Sequence, residues 1–543
     1  MKKIISFLFT ILLICTSMPI HGTFINDNKE ISNNIIIETN NLNYEPWNGY
    51  TLFSPIYSTR TYLLNIDNEI VHTWNSNYLP GESVYLLENG NLLRTIKVIN
   101  PQIVGGGSGG GLQEISPEGN IIWEFEYSNN FHLSHHDIEV LPNGNILMIA
   151  WKVKSRSQAL SAGLDPNKLI KGDILSEHII EVEPTGSLGG NIVWEWHVWD
   201  HLIQDYDSSK ENYGNVALHP ELIDINFMQG TSRDWLHMNS IDYNEEFDQI
   251  ILSVHKFSEI WVIEHEGDSD LLYRWGNPQA YRAGDSSDQK LFNQHDAQWI
   301  ENGLPGAGNI LYFNNGVNRP EGSYSSVEEI NPPVSKRGKY HYTFGSSYGP
   351  EEQDWRYIAD NPTDFFSRGQ SGVQRLPNGN TLICEANGGR FFEIDQNENI
   401  VWQHTLNMDV FKIQRYNPNY PGINVLLNNF PPNKPECSFD KINDELVVSA
   451  IDPDEDQVKF GVSWNNNGNV DKWTEFHESG KEVRIDCEGR KGRVKVIAED
   501  ENGAQSDWTS VKLKNNPYIN TPFKNFLEQL ENLFPLVRQI LCL

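Results

Sequence analysis

The stretch LPNGNILMIAW, residues 141–151, is followed by IIEVEPTGSLGGNIVWEWHV, residues 179–198, and together they contain the pattern that determines the fold. Asn-Gly between alternating apolar residues is the strongest short-range signal of a β-hairpin. The same two phrases recur twice more, as residues 86–96 with 112–127 and as residues 376–386 with 390–405. Each unit predicts two hairpins, or four strands, in roughly 40–60 residues, which is the size of a propeller blade.

Weaker copies of the pattern fill the middle of the chain. Residues 240–265 form one copy, and residues 297–316 continue through 326–333 to YHYTFG. Three strands at residues 50–74 lack an innermost partner, and VFKIQRY at 410–416 is a single strand. Joined, these two ends close a further blade and remove the open sheet edge. The fold class is therefore all-β, a six-bladed β-propeller over residues 45–428, with seven blades as the rival.

The composition changes after the propeller. Residues 429–436 read as a Pro-rich linker, and residues 437–515 alternate as the short strands of a small Ig-like β-sandwich. In its acidic turn, Asp452, Asp454 and Asp456 are either ligands for a structural Ca²⁺ or a solvated turn without metal. Residues 516–543 have helical spacing of apolar residues and predict a short amphipathic C-terminal helix that docks on a protein partner.

The N-terminus and the charge indicate the compartment. Residues 1–22 read as a signal peptide, because Lys2 and Lys3 precede an apolar run too short to span a bilayer comfortably. We therefore expect a secreted or cell-surface protein. The formal net charge of −32 disfavours nucleic acid as a partner, since phosphates would be repelled.

The cysteines predict no metal centre. Cys384 lies in an apolar strand and reads as a buried thiol, whereas Cys437 and Cys487 fall in the last domain, where export permits them to pair. No CxxC or Cys/His cluster suggests zinc.

Three histidines open the first strand of successive repeats: His136, His237 and His295. A repeat that places similar polar groups at its first strand predicts a ring of those groups around one axis. His255 lies one hairpin further along its blade and is expected beside them. Asp137 and Asp296 follow two of the histidines, and since neighbours on a strand face opposite sides, we expect them to bracket backbone groups.

These motifs resemble the bacterial and archaeal arylsulfate sulfotransferase family. HHD (135–137), DWLHMNSIDY (234–243) and QHDAQW (294–299) with FNNG (313–316) carry the resemblance, which covers roughly residues 45–425. It implies a six-bladed propeller that moves a sulfuryl group from a phenolic sulfate to a phenol without a nucleotide sulfate donor, through a transiently sulfated histidine. By motif, His295 matches the nucleophile, and His237 and His136 match the other two site histidines.

Two departures from that family affect the substrate. His255 stands where the family carries an arginine, whose fixed charge suits sulfate oxygens. Lys256 and Arg319 are the predicted substrate-binding substitutes, with Arg233 and Arg368 as further basic residues. No pair of nearby cysteines matches the disulfide known in that family.

The chemistry suits these residues and needs no cofactor. Sulfuryl transfer passes through a loose transition state, so positioning and charge stabilisation matter most. A neutral imidazole serves as nucleophile, while a second, protonated one stabilises the departing phenolate and later takes the acceptor's proton. Two alternatives stay open: a metal-dependent hydrolase or lyase with the same histidines as ligands, and a non-catalytic secreted surface-binding propeller. Metal analysis and removal of the histidines would separate them.

Overall fold

The hairpin repeats form six four-stranded antiparallel sheets. The structure, a computed structural model, describes residues 45–168, 172–227, 232–266 and 270–513. The turn at residues 141–145 shows how the pattern folds: the N–H of Leu141 donates to the carbonyl of Asn145, and that of Gly144 donates to the carbonyl of Leu141. Gly144 has a φ of 86°, a left-handed conformation that favours glycine.

The sheets are numbered here as blades from the first one that is continuous in sequence. From first to fourth, the strands of blade 1 are Pro80–Leu86, Leu92–Lys97, Gly110–Ile115 and Ile121–Glu126. Those of blade 2 are His132–Val140, Ile146–Lys154, Ile174–Pro184 and Gly190–His197. Those of blade 3 are Met238–Asn244, Gln249–Val254, Glu259–Glu264 and Leu271–Trp275. Those of blades 4 and 5 are His295–Trp299, Ile310–Asn314, Ser326–Ile330 and Trp355–Tyr357; and Gly372–Arg375, Thr381–Glu385, Arg390–Ile394 and Ile400–Thr405.

Blade 6 is built from both ends of the propeller, as predicted. Its first strand, Gln414–Tyr416, pairs antiparallel with Tyr50–Phe53, which precedes Arg60–Leu64 and Ile70–Asn75. Hydrogen bonds then join this first strand to its neighbours: Arg415 exchanges two with Gln374 of blade 5, and the Tyr416 hydroxyl accepts the N–H of Leu86 in blade 1. The all-β propeller expected from the sequence is confirmed.

One strand assignment was wrong. The fourth strand of blade 4 is Trp355–Tyr357, not YHYTFG at residues 340–345. The reason is packing, because Tyr340 stacks on Tyr273 with ring centroids 4.6 Å apart, and both Tyr340 and Tyr342 lie against the large apolar core around blade 3. The aromatic residues that suggested a strand cover a neighbouring blade instead.

Residues beyond the propeller form two facing sheets. One contains Glu436–Asp440, Glu445–Ser449 and Val483–Asp486; the other contains Lys472–Trp473, Val458–Ser463, Gly492–Asp500 and Thr509–Leu513. Both sheets contribute to one buried core, including Leu446, Phe460 and Val496. Cys437 and Cys487 are free thiols, so the pairing considered from the sequence does not occur, and Cys384 is a buried free thiol as expected. The predicted tail helix lies outside the described residues.

Short elements fill the connections. There are two α-helices, Arg156–Ser161 and Pro421–Leu427, four 3₁₀ turns, Val198–His201, Val216–Leu218, Pro278–Tyr281 and Pro362–Asp364, and a parallel pair of two-residue strands, Leu202–Ile203 and Ile223–Asp224, within the described ranges. No helix in this part of the chain has the length and apolar character needed to cross a membrane.

Candidate active site

Irregular backbone near the start of the first strand carries the polar side chains of the site. In blades 1 to 4 the pairing of the first strand with the second shifts register at this point. Such bulges re-aim side chains and are frequent beside active sites. The residues with positive φ there are Glu82 (118°), His136 (56°), His237 (56°) and Asp296 (52°). Blades 1 to 4 therefore present polar side chains to the site from equivalent positions.

The four predicted histidines lie together in one continuous row of rings. Ring centroids are 4.6 Å apart between His136 and His237, 5.0 Å between His237 and His255, and 5.2 Å between His255 and His295. All three contacts are edge-to-face. The predicted convergence of these side chains from blades 2, 3 and 4 is confirmed, while their roles in chemistry stay predictions.

His295 is held with one ring nitrogen free of a proton. Asn315 donates its amide N–H groups to the carbonyls of Ser367 and Gln370, at 2.9 and 3.0 Å, so its Oδ1 faces Nδ1 of His295 at 2.7 Å. Nδ1 is therefore the donor. On the other side, the backbone N–H of Gln370 donates to Nε2 at 3.1 Å, which requires a lone pair there. Burial lowers the pKa of His295 to about 3 and keeps the ring neutral.

His136 is oriented through a relay that the sequence did not reveal. Nδ1 of His136 and Nδ1 of His135 are 2.7 Å apart, and Nε2 of His135 lies 2.8 Å from the buried carboxylate of Glu177. That carboxylate fixes the proton of His135 on Nε2, so with a neutral His135 the proton between the two rings belongs to His136. Nε2 of His136 then carries a lone pair. Burial, and next the charge of His237, place the pKa of His136 well below its usual value.

His237 is paired with a carboxylate of its own motif. Oδ2 of Asp234 lies 2.5 Å from Nδ1 of His237 and 3.4 Å from Nζ of Lys256. Burial alone would raise the pKa of Asp234, but its interactions with His237 and Lys256 outweigh that effect and lower it. Asp234 is therefore a carboxylate that orients His237 so that Nε2 is its free ring nitrogen.

His255 does not supply the fixed positive charge of the arginine it replaces. Burial, followed by the charges of His237 and His295, places its pKa well below the usual value, so the ring is neutral near pH 7. Lys256 is the neighbouring cation, and its Nζ donates to Ser232 at 3.0 Å and to the carbonyl of Asp234. Arg319, the other predicted substrate-binding residue, is instead buried against Glu328 and Ser326 within blade 4.

The other two basic candidates also lie outside the row of histidine rings. Arg233 pairs with Asp173 and donates to the carbonyl of Gln102. Arg368 is exposed, two residues before Gln370. Lys256 is thus the predicted substrate-binding residue that the structure brings to the histidines.

Carboxylates adjoining two of the histidines are neutralised by a lysine. Asp137 accepts the N–H of Ile138, and Asp296 accepts that of Val373 at 2.8 Å, so both bracket backbone as expected. Nζ of Lys412 lies 2.8 Å from Asp137 and 3.6 Å from Asp296. Lys412 was not identified as a site residue from the sequence, because it lies in the segment 410–416, which was read only as a strand that closes blade 6.

A glycine-rich loop between two strands of blade 1 lies directly on the histidines. A Cβ at Gly107, which has a φ of 72°, would lie 2.1 Å from Nε2 of His136. The carbonyl of Gly107 also accepts the N–H of His136. Glycine is required there because any side chain would displace the His136 ring.

The chain matches the family model for arylsulfotransferase (ASST) over residues 67–470, most of its length. It belongs to the arylsulfotransferase family. The matched region contains all four histidines and extends into the sandwich. Membership of this family supports a sulfotransferase-like function. No curated protein is significantly similar to the chain.

Solved structures show only distant similarity to this chain. A protein of unknown function from Bacteroides caccae is 13% identical, covering 68% of this chain and 99% of its own, with a TM-score of 0.39. A catalytically inactive virginiamycin B lyase from Staphylococcus aureus is 11% identical, covering 76% and 94%, with a TM-score of 0.33. A PKD domain of an M14-like peptidase from a Thermoplasmatales archaeon is 24% identical over 16% of this chain and 97% of that one, with a TM-score of 0.14.

Proposed function

We propose that this arylsulfotransferase moves a sulfuryl group from a phenolic sulfate to a phenolic acceptor through a sulfated His295. The observation that carries the proposal is the tautomer of His295. Asn315 holds its Nδ1–H, and Nε2 keeps a lone pair in a ring whose pKa is lowered to about 3 by burial. That lone pair accepts the N–H of Gln370, so the donor must displace this hydrogen bond before Nε2 attacks sulfur. A neutral imidazole with an oriented lone pair is what nucleophilic attack requires.

The remaining site residues have supporting roles in this proposal. Since Nδ1–H of His237 is held by Asp234 and Nδ1–H of His136 by His135, Nε2 of each ring is a hydrogen-bond acceptor that aligns the phenolic hydroxyl of the acceptor. Lys256 supplies the positive charge for the sulfate oxygens, since His255 is neutral. Phenol has a pKa near 10, so an aryl sulfate is a much better donor than an alkyl sulfate.

The alternatives have less support. A metal-dependent hydrolase needs several ligands around one point, and the described part of the chain contains no group of three or more His, Cys, Asp or Glu side chains placed to hold a metal ion. Asp452, Asp454 and Asp456 do not form such a group either. Ca²⁺ at this turn stays a prediction.

The direct experiment is incubation of the full chain with 4-nitrophenyl sulfate, with and without added phenol. We expect release of nitrophenol that phenol accelerates, ping-pong kinetics, and a mass increase of one SO₃ on the peptide that contains residues 293–299. His295→Asn should reduce transfer by several orders of magnitude and abolish the adduct. His477→Asn, in the sandwich, is the control. An active His295→Asn protein, or sequential kinetics, would contradict the covalent route.

The compartment is part of the same proposal. The predicted signal peptide, residues 1–22, lies outside the described residues, and we propose that it directs the protein to the cell surface or the medium. N-terminal sequencing of the exported protein tests this, and cleavage near residue 22 is the expected result.

A further inference from the structure

A carboxylate lies at the same place in blade 1 as the histidines occupy in theirs. Glu82 is at the register shift of the first strand and has a φ of 118°, a conformation unusual for any residue with a side chain. Strained backbone of this kind persists where the surrounding structure requires it and clusters at active sites. Glu82 is partly exposed, and within the described residues its Oε1 accepts no hydrogen bond. The proposed function above gives this side chain no role.

One residue connects Glu82 to the proposed nucleophile. The side-chain Nε2 of Gln370 donates to Oε2 of Glu82 at 3.1 Å, while the backbone N–H of the same residue donates to Nε2 of His295. The carboxyl group of Glu82 is therefore one glutamine away from the nitrogen that attacks sulfur. Gln370 has a φ of 58° and Ser371 one of 89°, so this contact also depends on unusual backbone.

The charge of Glu82 matters because the donor is an anion. An ionised carboxylate beside an aryl sulfate would repel it, whereas a protonated one donates a hydrogen bond. Burial raises the pKa of Glu82 to about 7, against the opposing effects of Lys97 from the next strand, of the Gln370 hydrogen bond and of His237 from blade 3. Both protonation states are therefore accessible near neutral pH, as an acid–base group requires.

We propose, resting on the proposed function, that Glu82 is a catalytic residue that gives a proton to the departing phenolic oxygen and takes one from the acceptor. In the first half-reaction, Nε2 of His295 releases the N–H of Gln370 and forms the N–S bond, the S–O bond breaks with its electron pair going to oxygen, and Glu82 protonates that oxygen. In the second, the acceptor hydroxyl gives its proton to the Glu82 carboxylate and attacks sulfur, and the N–S pair returns to Nε2. His237, whose Nδ1–H is held by Asp234, orients the phenolic hydroxyl through its unprotonated Nε2 and exchanges no proton.

Leaving-group dependence tests this role, because a structural residue would affect all donors alike. Single-turnover sulfation of His295 is measured by mass spectrometry in the full chain, in Glu82→Gln, and in Glu88→Gln as a control on the following turn of the same blade. With phenyl sulfate, whose leaving group needs a proton, Glu82→Gln should slow sulfation by about 100-fold or more. With 4-nitrophenyl sulfate, whose more acidic phenol leaves unassisted, the loss should stay below roughly 10-fold. Glu88→Gln should match the unmodified chain with both donors.

The pH dependence provides a second measurement that needs no variant. Sulfation by phenyl sulfate requires protonated Glu82 and should fall above about pH 7, while transfer from sulfated His295 to phenol requires the carboxylate and should fall below it. Equal losses with both donors in Glu82→Gln would overturn the proposal. So would the absence of opposite pH limbs in the unmodified chain. A loss specific to phenyl sulfate that occurs in His237→Asn and not in Glu82→Gln would also overturn it. If the unmodified chain forms no adduct on His295 at all, the proposed function itself is wrong.

Discussion

Oδ2 of Asp234 lies 2.5 Å from Nδ1 of His237, three residues further along the same loop. This contact determines which nitrogen of His237 faces the substrate, because an ionised carboxylate accepts and does not donate. Asp234→Asn introduces an amide that also donates, so the ring adopts the wrong tautomer in part of the molecules. We expect transfer to fall by roughly 100-fold with little change in stability. Steady-state kinetics measures this, and Asp270→Asn, which alters an exposed Asp–His201 pair, should have no effect.

Lys256 should determine donor affinity. Its Nζ is partly exposed beside His237, and His255 is neutral, so removing Lys256 leaves the sulfate group without its nearest cation. Lys256→Met should raise KM for the aryl sulfate about 10-fold or more, with a smaller change in kcat. Lys256→Arg should recover much of that affinity, since it keeps the charge. Lys210→Met, at an exposed ion pair, should leave KM unchanged; an unaltered KM in Lys256→Met would assign sulfate binding to another group.

Stability should decline as the pH falls below about 6.5. The pKa of His295 is lowered to about 3 in the folded chain, whereas an unfolded histidine takes up a proton near 6.5. Between these values the unfolded state binds more protons, so the free energy of unfolding rises with pH and is lost on acidification. For His295 alone the loss at pH 5 is about 2 kcal/mol, from 1.5 units at about 1.4 kcal/mol each. Denaturant titrations at pH 7 and pH 5 measure it. His295→Asn should show a shallower pH dependence; an unchanged slope would mean that His295 does not contribute.

The chain beyond Asn429 should be dispensable for turnover. The sandwich meets the propeller at Asn429, whose amide donates to Asp500 at 3.1 Å, and near Gly503, which approaches Asn48 and Pro418. None of these residues contacts the four histidines. A chain that ends at Asn429 should keep kcat and KM and unfold at a somewhat lower temperature. Loss of activity in a folded truncation would show that the sandwich shapes the site.

The repeat made the fold and the four histidines predictable from sequence. Asn-Gly turns determine hairpins locally, so the equivalent positions of His136, His237 and His295 were visible from spacing alone. The closing blade followed from the need to pair an edge strand. The YHYTFG segment was misassigned because its alternation arises from packing against blade 3, and a periodic pattern does not identify the partner.

The contacts that tune the site were not predictable. Glu177 supports His135 from 42 residues away, and Glu82 meets Gln370 across 288 residues, so neither contact leaves a local pattern. The positive φ of Glu82 could not be predicted from the sequence either, because glutamate does not indicate such a conformation. Asp234 and Asn315 stood inside quoted motifs, yet their hydrogen-bond partners became clear only from the folded geometry.

Closure of the propeller by Gln414–Tyr416 affects the order in which the fold and the site form. This strand pairs with Tyr50–Phe53 across more than 360 residues, a contact of very high sequence separation that is expected to form late in folding. Lys412 lies two residues before this strand and reaches its position only when the strand pairs. Until that pairing, Asp137 and Asp296 have no lysine to neutralise them. A chain whose last blade has not yet closed therefore has its histidines next to unpaired carboxylates. Such a chain should become competent for sulfuryl transfer only in the last step of folding.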